Sequence, residues 1–309
     1  MPNAPEGGSN WTPVDNYSGT FDGAGHAISN MVINDAEANG NIGFFRNLSD
    51  EGTVKNLRLA DAEINGHNYV GGITGSSSGS IADCSVTGGT ITGNEKIGSI
   101  AGESSGSIAD CGSTGGTITG KYQVGGIVGY SSGSIADCSV TSGTITAGKN
   151  PTGGIAGYSS GSITYCSVAG STITGSDQIG GIAGQVPLSS ITITRSITAC
   201  SVSDCTIGGE KNQIGGIVGW SSGIITACSI TGGTITAGGY VGGIVGHAYE
   251  GKITACYTTA DVKGDSSSST GAFLGENGAT ISAGYWQTDT QDKAIGTNDM
   301  DNIQVTKVE

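Results

Sequence analysis

Charge is the scarcest commodity in this 309-residue sequence. Only 12% of the residues are Asp, Glu, Lys or Arg, and Lys and Arg together number 12 against 26 acids, a formal charge of −14. A chain with so few cations offers no basic patch, which argues against nucleic acid or an anionic membrane surface as partner. No apolar run approaches the ~18 residues of a membrane helix, so no membrane insertion is expected. His26, His67 and His247 lie far apart in the chain, and Arg46, Arg58 and Arg195 are its only arginines. No HExxH, GxSxG or phosphate-binding loop is present, and no CxxC pair or Cys/His cluster. The sequence therefore predicts no catalytic residue, no metal site and no cofactor: not an enzyme. The opening MPNAPEGGSN lacks the basic and apolar regions of a signal peptide. The expectation is either a protein that is not exported or a piece of a longer exported chain.

What is abundant is Gly, 58 residues of it, set among Ile, Val and Thr in a fixed period. Aligned on the first Gly of the VGGIVG-like core, Gly71, Gly98, Gly125, Gly153, Gly180, Gly215, Gly242 and Gly271 recur every 27 to 29 residues, with one interval of 35. A second marker, from Cys84 through Cys111, Cys138, Cys166, Cys200 and Cys228 to Cys256, keeps the same spacing. Two independent markers on one period make a repeat array. Each unit holds three short apolar pieces, for example Gly126–Gly129, Ser134–Val140 and Gly143–Ala147, too short for helices and bounded by Gly or Ser. Strands of this kind with no helical crossover bury their side chains by stacking unit on unit as a parallel β-solenoid, all-β and continuous in its core. About ten coils of 27–28 residues, three strands each, would make a rod of roughly 45–50 Å at ~4.8 Å per coil.

Within SIADCSVTSG, Cys138 and Val140 share parity and face inward while Ser139 and Thr141 face out. Extended backwards the Cys column takes in Leu57 and Met31, and forwards Gly284, an apolar interior file of free thiols. Because ~4.8 Å also falls within the Cα separation of a disulfide, bridging between neighbouring coils stays open. Cys205 falls at the turn position of Gly89 and is expected to be the one reachable thiol. The file one residue earlier holds Asp83, Asp110 and Asp137, with Asn30 and Asn56 below. Turn chemistry, an adventitious calcium ion and a carboxylate active site all suit it, turn chemistry best, because Tyr165 and Ala199 continue the file without ligands.

Taken in order, residues 1–10 read as a flexible leader and 11–290 as a single solenoid domain. Within it lie an N-terminal cap over 11–41, an insertion loop at 185–196 carrying Pro187 and Arg195, and a C-terminal cap from 276 in which Tyr285 and Trp286 cover the last coil. Residues 291–309 read as a tail. The stretches NIGFF, YVGGITG, QVGGIVG and QIGGIVG resemble the GLUG motif, and GTFDGAGHAISNMVIN resembles the segment that precedes such arrays. That resemblance covers roughly residues 11–290. It implies a right-handed parallel β-helix and an extracellular or cell-surface bacterial protein, adhesin-like or a non-catalytic region of a secreted peptidase.

Two surface files are candidates for binding. After the GGIVG core run Ser76, Glu103, Tyr130, Tyr158, Gln185, Trp220, His247 and Glu276. Of these Tyr130, Tyr158, Trp220 and His247 could form an exposed strip that stacks on a glycan or anchors a host surface protein; rings stacking on one another to stabilise adjacent coils is the plainer reading. The other file is Thr-Ile-Thr: Thr90/Thr92, Thr117/Thr119, Thr144/Thr146, Thr172/Thr174 and Thr234/Thr236, interrupted at Thr206/Gly208. With Ile inward, the threonines form a regular flat array that resembles the ice-binding faces of solenoid antifreeze proteins, although Thr is also an ordinary exposed-strand residue.

Overall fold

The computed structural model describes residues 4–36, 40–187, 195–265, 269–287, 291–298 and 303–308. Each coil turns five short strands, not the three expected. In the coil Ser80–Ser104 these are β1 (Ser80–Ala82), β2 (Ser85–Thr87), β3 (Thr90–Thr92), β4 (Glu95–Gly98) and β5 (Ala101–Ser104). The same five positions recur along the chain, and each strand pairs in parallel with its counterpart in the next coil, as Ser80↔Ser107, Thr90↔Thr117 and Glu103↔Tyr130 do. Positions β1 and β2 form one continuous sheet, while β3, β4 and β5 stack into sheets of nine, eight and ten strands among the described residues. The result is a right-handed parallel β-helix of about nine turns, with partial coils at both ends.

The extra strands arise at single-residue corners. Asn56, Asp83, Asp110, Asp137, Tyr165, Ala199, Ala227, Ala255 and Ala283 all sit at φ between 52 and 54°, the left-handed region. One such residue turns the chain sharply without a loop, splitting Ser134–Val140 into Ser134–Ala136 and Ser139–Thr141. Asn and Asp tolerate that conformation; Ala does so at a cost of about 1–2 kcal/mol. Asp83, Asp110 and Asp137 are thus corner residues with exposed side chains. Asn30 does not belong below them. It occupies a second left-handed corner file with Asp61 and Gly88.

Inside, every cysteine is buried and unpaired, all at 0–1% exposure. The column runs from Leu57 through the seven aligned cysteines to Gly284 and Val305. Met31 is buried, but one file over: Val32 pairs with Glu63, which sets Met31 beside Ala62. Beneath Leu57 the corner is filled by Gly23–His26, since Asp22 pairs with Lys55 and Ala27 with Arg58. Cys205 is also 1% exposed, against expectation. The left-handed corner at Asp204 (φ 51°) turns it into the core, where Sγ takes a long hydrogen bond from Ser171 N (3.5 Å). Burial pushes its thiol pKa up.

The ends are closed differently. At the N-terminal end Trp11 stacks on Phe44 (4.3 Å), Tyr17 packs on Phe45 (4.8 Å), and Phe21 lies 5.5 Å from both phenylalanines. The described part of the expected leader lies along this edge: Ser9 Oγ accepts from Asn34 N, and Asn10 Oδ1 from Val32 N. Those side chains satisfy strand N–H groups that would otherwise template another chain. At the C-terminal end Trp286 is 4% exposed and Tyr285 43%, so only the tryptophan covers the core. Strands Ile295–Asn298 and Ile303–Lys307 continue two of the sheets into the segment expected as a tail. Of the insertion, residues 188–194 lie outside the described residues. Its flanks are tied by Arg195, which donates to Ser160 O and Pro187 O.

Candidate functional site

The β5 file is one register-perfect column: Ser76, Glu103, Tyr130, Tyr158, Gln185, Trp220, His247 and Glu276 each pair with the next. Strand parity puts these side chains outward, half-buried, while Val128, Ser131 and their equivalents point in. A second file borders it that sequence reasoning missed. In five coils the residue two positions before the first core Gly (Tyr69, Lys96, Gln123, Gln178, Gln213) takes a left-handed corner with φ of 51–67°, and Lys96 and Gln213 reach the β5 file from it. The signal was present as the variable letter before VGG or IGG, but only the corner geometry shows that it reaches its neighbour.

The two files interlock. Lys96 Nζ lies 2.9 Å from Glu103 Oε2 and 4.6 Å from the ring centroids of both Tyr69 and Tyr130. Tyr130 and Tyr158 stack face to face, with centroids 4.9 Å apart and planes 11° apart. One face of each ring is spent on the other, and Lys96 lies over the Tyr130 ring as well. Burial raises the Tyr158 phenol pKa, and the Tyr130 phenolate would raise it further.

Farther along, past Gln185, a second aromatic group gathers. Trp220 stacks on Tyr249 (6.1 Å, 29°), and His247 lies 5.5 Å from Tyr240 and 6.2 Å from Tyr249. Tyr249 is 55% exposed. Gln213 Nε2 donates to His247 Nδ1 (3.2 Å), which leaves the ring proton on Nε2, 3.5 Å from Glu276 Oε2. Burial lowers the His247 pKa and Glu276 raises it in part; the net direction is down, so the ring is neutral at pH 7. Gln213 Oε1 is buried without a hydrogen-bond partner. The structure thus joins Trp220 and His247 in one cluster with Gln213, Tyr240 and Tyr249, and sets Tyr130 and Tyr158 apart from it.

The threonine file is in register throughout, Thr90↔Thr117↔Thr144↔Thr172↔Thr206↔Thr234 and Thr92↔Thr119↔Thr146↔Thr174, with Gly208 and Thr236 completing the second column. The intervening isoleucines are buried. The first column is exposed as far as Thr206 and the second half-buried from Thr92 to Thr174, where Thr146 and Thr174 hydrogen-bond at 3.0 Å. Among the described residues no three His, Cys, Asp or Glu side chains converge as metal ligands.

The model of the GLUG motif matches residues 120–146 and 237–263. A 69-residue stretch, 22% of the chain, is 41% identical to halomucin of Haloquadratum walsbyi and spans 1% of that protein. Among solved structures, a candidate immunoglobulin A1 protease from Bacteroides ovatus aligns over 63% of this chain and 64% of its own, at 24% identity and a TM-score of 0.48. The GLUG motif thus matches two of the coils, and the other coils repeat their register in a right-handed parallel β-helix.

Proposed function

We propose that this β-helix is a non-catalytic, extracellular stalk or binding module of a larger microbial surface protein, and that it holds a glycan or a host surface protein at the cluster of Trp220, Tyr240, His247 and Tyr249. One observation carries the reading: Trp220, Tyr240, His247 and Tyr249 gather aromatic surface from adjacent coils, with Tyr249 exposed and Gln213 hydrogen-bonded to His247 beside it. Apolar ring area with a few convergent polar groups is what sugar and peptide sites offer. The stacked Tyr130–Tyr158 pair stabilises neighbouring coils instead. The GLUG motif and the likeness to halomucin support a surface location. The test is a glycan and host-protein array probed with wild type and the double variant Trp220→Ala/Tyr249→Ala. Ligand retained by wild type and lost by a variant with unchanged far-UV circular dichroism supports the site; equal retention, or loss of fold and binding together, rejects it.

A second reading rests on the threonine face, whose in-register rows repeat about 4.8 Å apart along the rod and about 6.6–7 Å along the strand. Under it the protein binds ice. A cold-stage droplet settles the matter: crystal growth unaffected by wild type, or affected equally by Thr117→Lys/Thr144→Lys, removes this reading.

A further inference from the structure

We propose that Lys121, Tyr122 and Lys149 form a binding site for an acidic sugar, one that carries a carboxylate or a sulfate ester. Lys121 lies at the corner between strands Thr117–Gly120 and Tyr122–Gly125. Lys149 lies at the same corner one coil on, where its N–H donates to Lys121 O (2.8 Å). The two exposed side chains start one strand spacing, ~4.8 Å, apart. They converge on the half-buried Tyr122, with Nζ 5.5 Å from the ring centroid for Lys121 and 5.2 Å for Lys149. Two ammonium groups gathered at one ring repel each other, and an anion that accepts from both turns that repulsion into attraction.

The neighbouring coil shows what this group lacks. Lys96 also lies over tyrosine rings, 4.6 Å from the centroids of Tyr69 and Tyr130, but Glu103 completes that arrangement with a carboxylate oxygen 2.9 Å from Nζ. Arg46 and Lys55 likewise hold Asp35 and Asp22, at 3.6 and 3.4 Å. Among the described residues no carboxylate pairs with Lys121 or Lys149. Between Asp110 and Asp177 the chain has one acid, Asp137, and it stands at a different corner, between Ser134–Ala136 and Ser139–Thr141. In a chain with 26 acids and 12 bases, two adjacent lysines without a carboxylate leave the anion to a ligand. The flanks set its size. Glu95 is in register with Tyr122 on one side. On the other, one coil beyond Lys149, Asp177 accepts from Gln178 N (2.8 Å) and interacts with Lys211. These acids bracket the lysines, so one anionic group fits, whereas the charge run of a nucleic acid or membrane surface is repelled. The exposed part of Tyr122 supplies apolar area for the ring of a sugar. The site lies on the β4 strand position, three coils before the coil of Trp220, and does not depend on the aromatic cluster there.

Matched probes isolate the anion. Immobilised lactose, lactose bearing a sulfate ester and lactose bearing sialic acid, whose charge is a carboxylate, are exposed to the full-length chain in low salt. Wild type should retain an acidic probe and not lactose; retention of the sulfated probe alone assigns the site to sulfate esters, of the sialylated probe alone to carboxylates, and of both to either anion. Lys121→Gln/Lys149→Gln should weaken retention by at least about tenfold, since it removes two charge-assisted hydrogen bonds. Lys121→Arg/Lys149→Arg should keep it, and Tyr122→Leu should weaken it. Lys211→Gln and Trp220→Ala/Tyr249→Ala should leave it unchanged, which separates this site from general loss of positive charge and from the aromatic cluster. Circular dichroism checks that each variant is folded. A folded wild type that retains no acidic probe, or retains lactose equally, overturns the proposal. So does unchanged retention by Lys121→Gln/Lys149→Gln or Tyr122→Leu, or loss of retention in Lys211→Gln or Trp220→Ala/Tyr249→Ala.

Discussion

Cys138→Asp tests the interior file with a magnitude that pH controls. Cys138 is 1% exposed, between Cys111 and Cys166, and its only polar contacts are weak S–H bonds to carbonyls. An aspartate there has no cation within reach, so burial holds its carboxyl protonated, with a folded pKa raised by about 3–5 units from about 3.9. The unfolded chain ionises above pH 3.9 and the folded chain does not. Stability is therefore lost as pH rises, at about 1.4 kcal/mol per unit, reaching about 4 kcal/mol by pH 7. The assay is urea denaturation of wild type, Cys138→Asp and Cys138→Asn at pH 4 and pH 7. With a slope near 3 kcal/mol/M, the Asp variant should lose more than about 1 M in midpoint between the two pH values, relative to wild type. The Asn variant should carry a pH-independent penalty of about 1–3 kcal/mol. An Asp variant whose urea midpoint at pH 7 stays within about 0.3 M of wild type, or whose deficit does not change with pH, would show that the column is not interior.

A thiol reagent should label eight cysteines in denaturant without reductant and none in the native chain, Cys205 included; native labelling at Cys205 would contradict its burial. Gly133→Ala should cost several kcal/mol in a urea melt, because a Cβ there would meet Gly106 O at 1.8 Å, a clash of backbone against backbone that no rotamer relieves. His247, whose pKa burial depresses, should cost stability as pH falls below about 6.5, where the unfolded imidazole gains a proton and the folded ring resists it. His247→Gln should flatten that part of the pH profile, and an unchanged profile would place the ring in solvent.

Period, parity and register were legible because they are properties of spacing: the cysteine file, the threonine rows and the β5 column all stand where the repeat puts them. The number of strands was not. A turn is ordinarily announced by Gly, Pro or Asn-Gly, whereas here Tyr165, Ala199 and Ala227 make left-handed corners that the sequence disguises as strand. The same blindness misplaced Met31, since the four-residue turn Gly23–His26 stands where later coils use a two-residue corner. It also left Cys205 on the surface, because Gly89 in the equivalent position suggested an open turn, not a small inward pocket. At the candidate site the column of Trp220 and His247 was readable, but its partner file depends on corner residues whose direction only the backbone reveals.

The hydrogen bonds of this molecule run along the rod, coil to coil, and that decides how it would yield to tension. Pulled by its ends, the helix meets the load one coil at a time, because each coil is joined only to its neighbours. A coil that lets go releases 27 or 28 residues, about 90 Å of chain at full extension, in place of about 4.8 Å of rod. Detachment would thus proceed as a series of small ruptures, each lengthening the tether and relaxing the force on the next. A module of this build, mounted between an anchored body and a bound surface, behaves as a ratcheted shock absorber that lengthens roughly twentyfold before it fails.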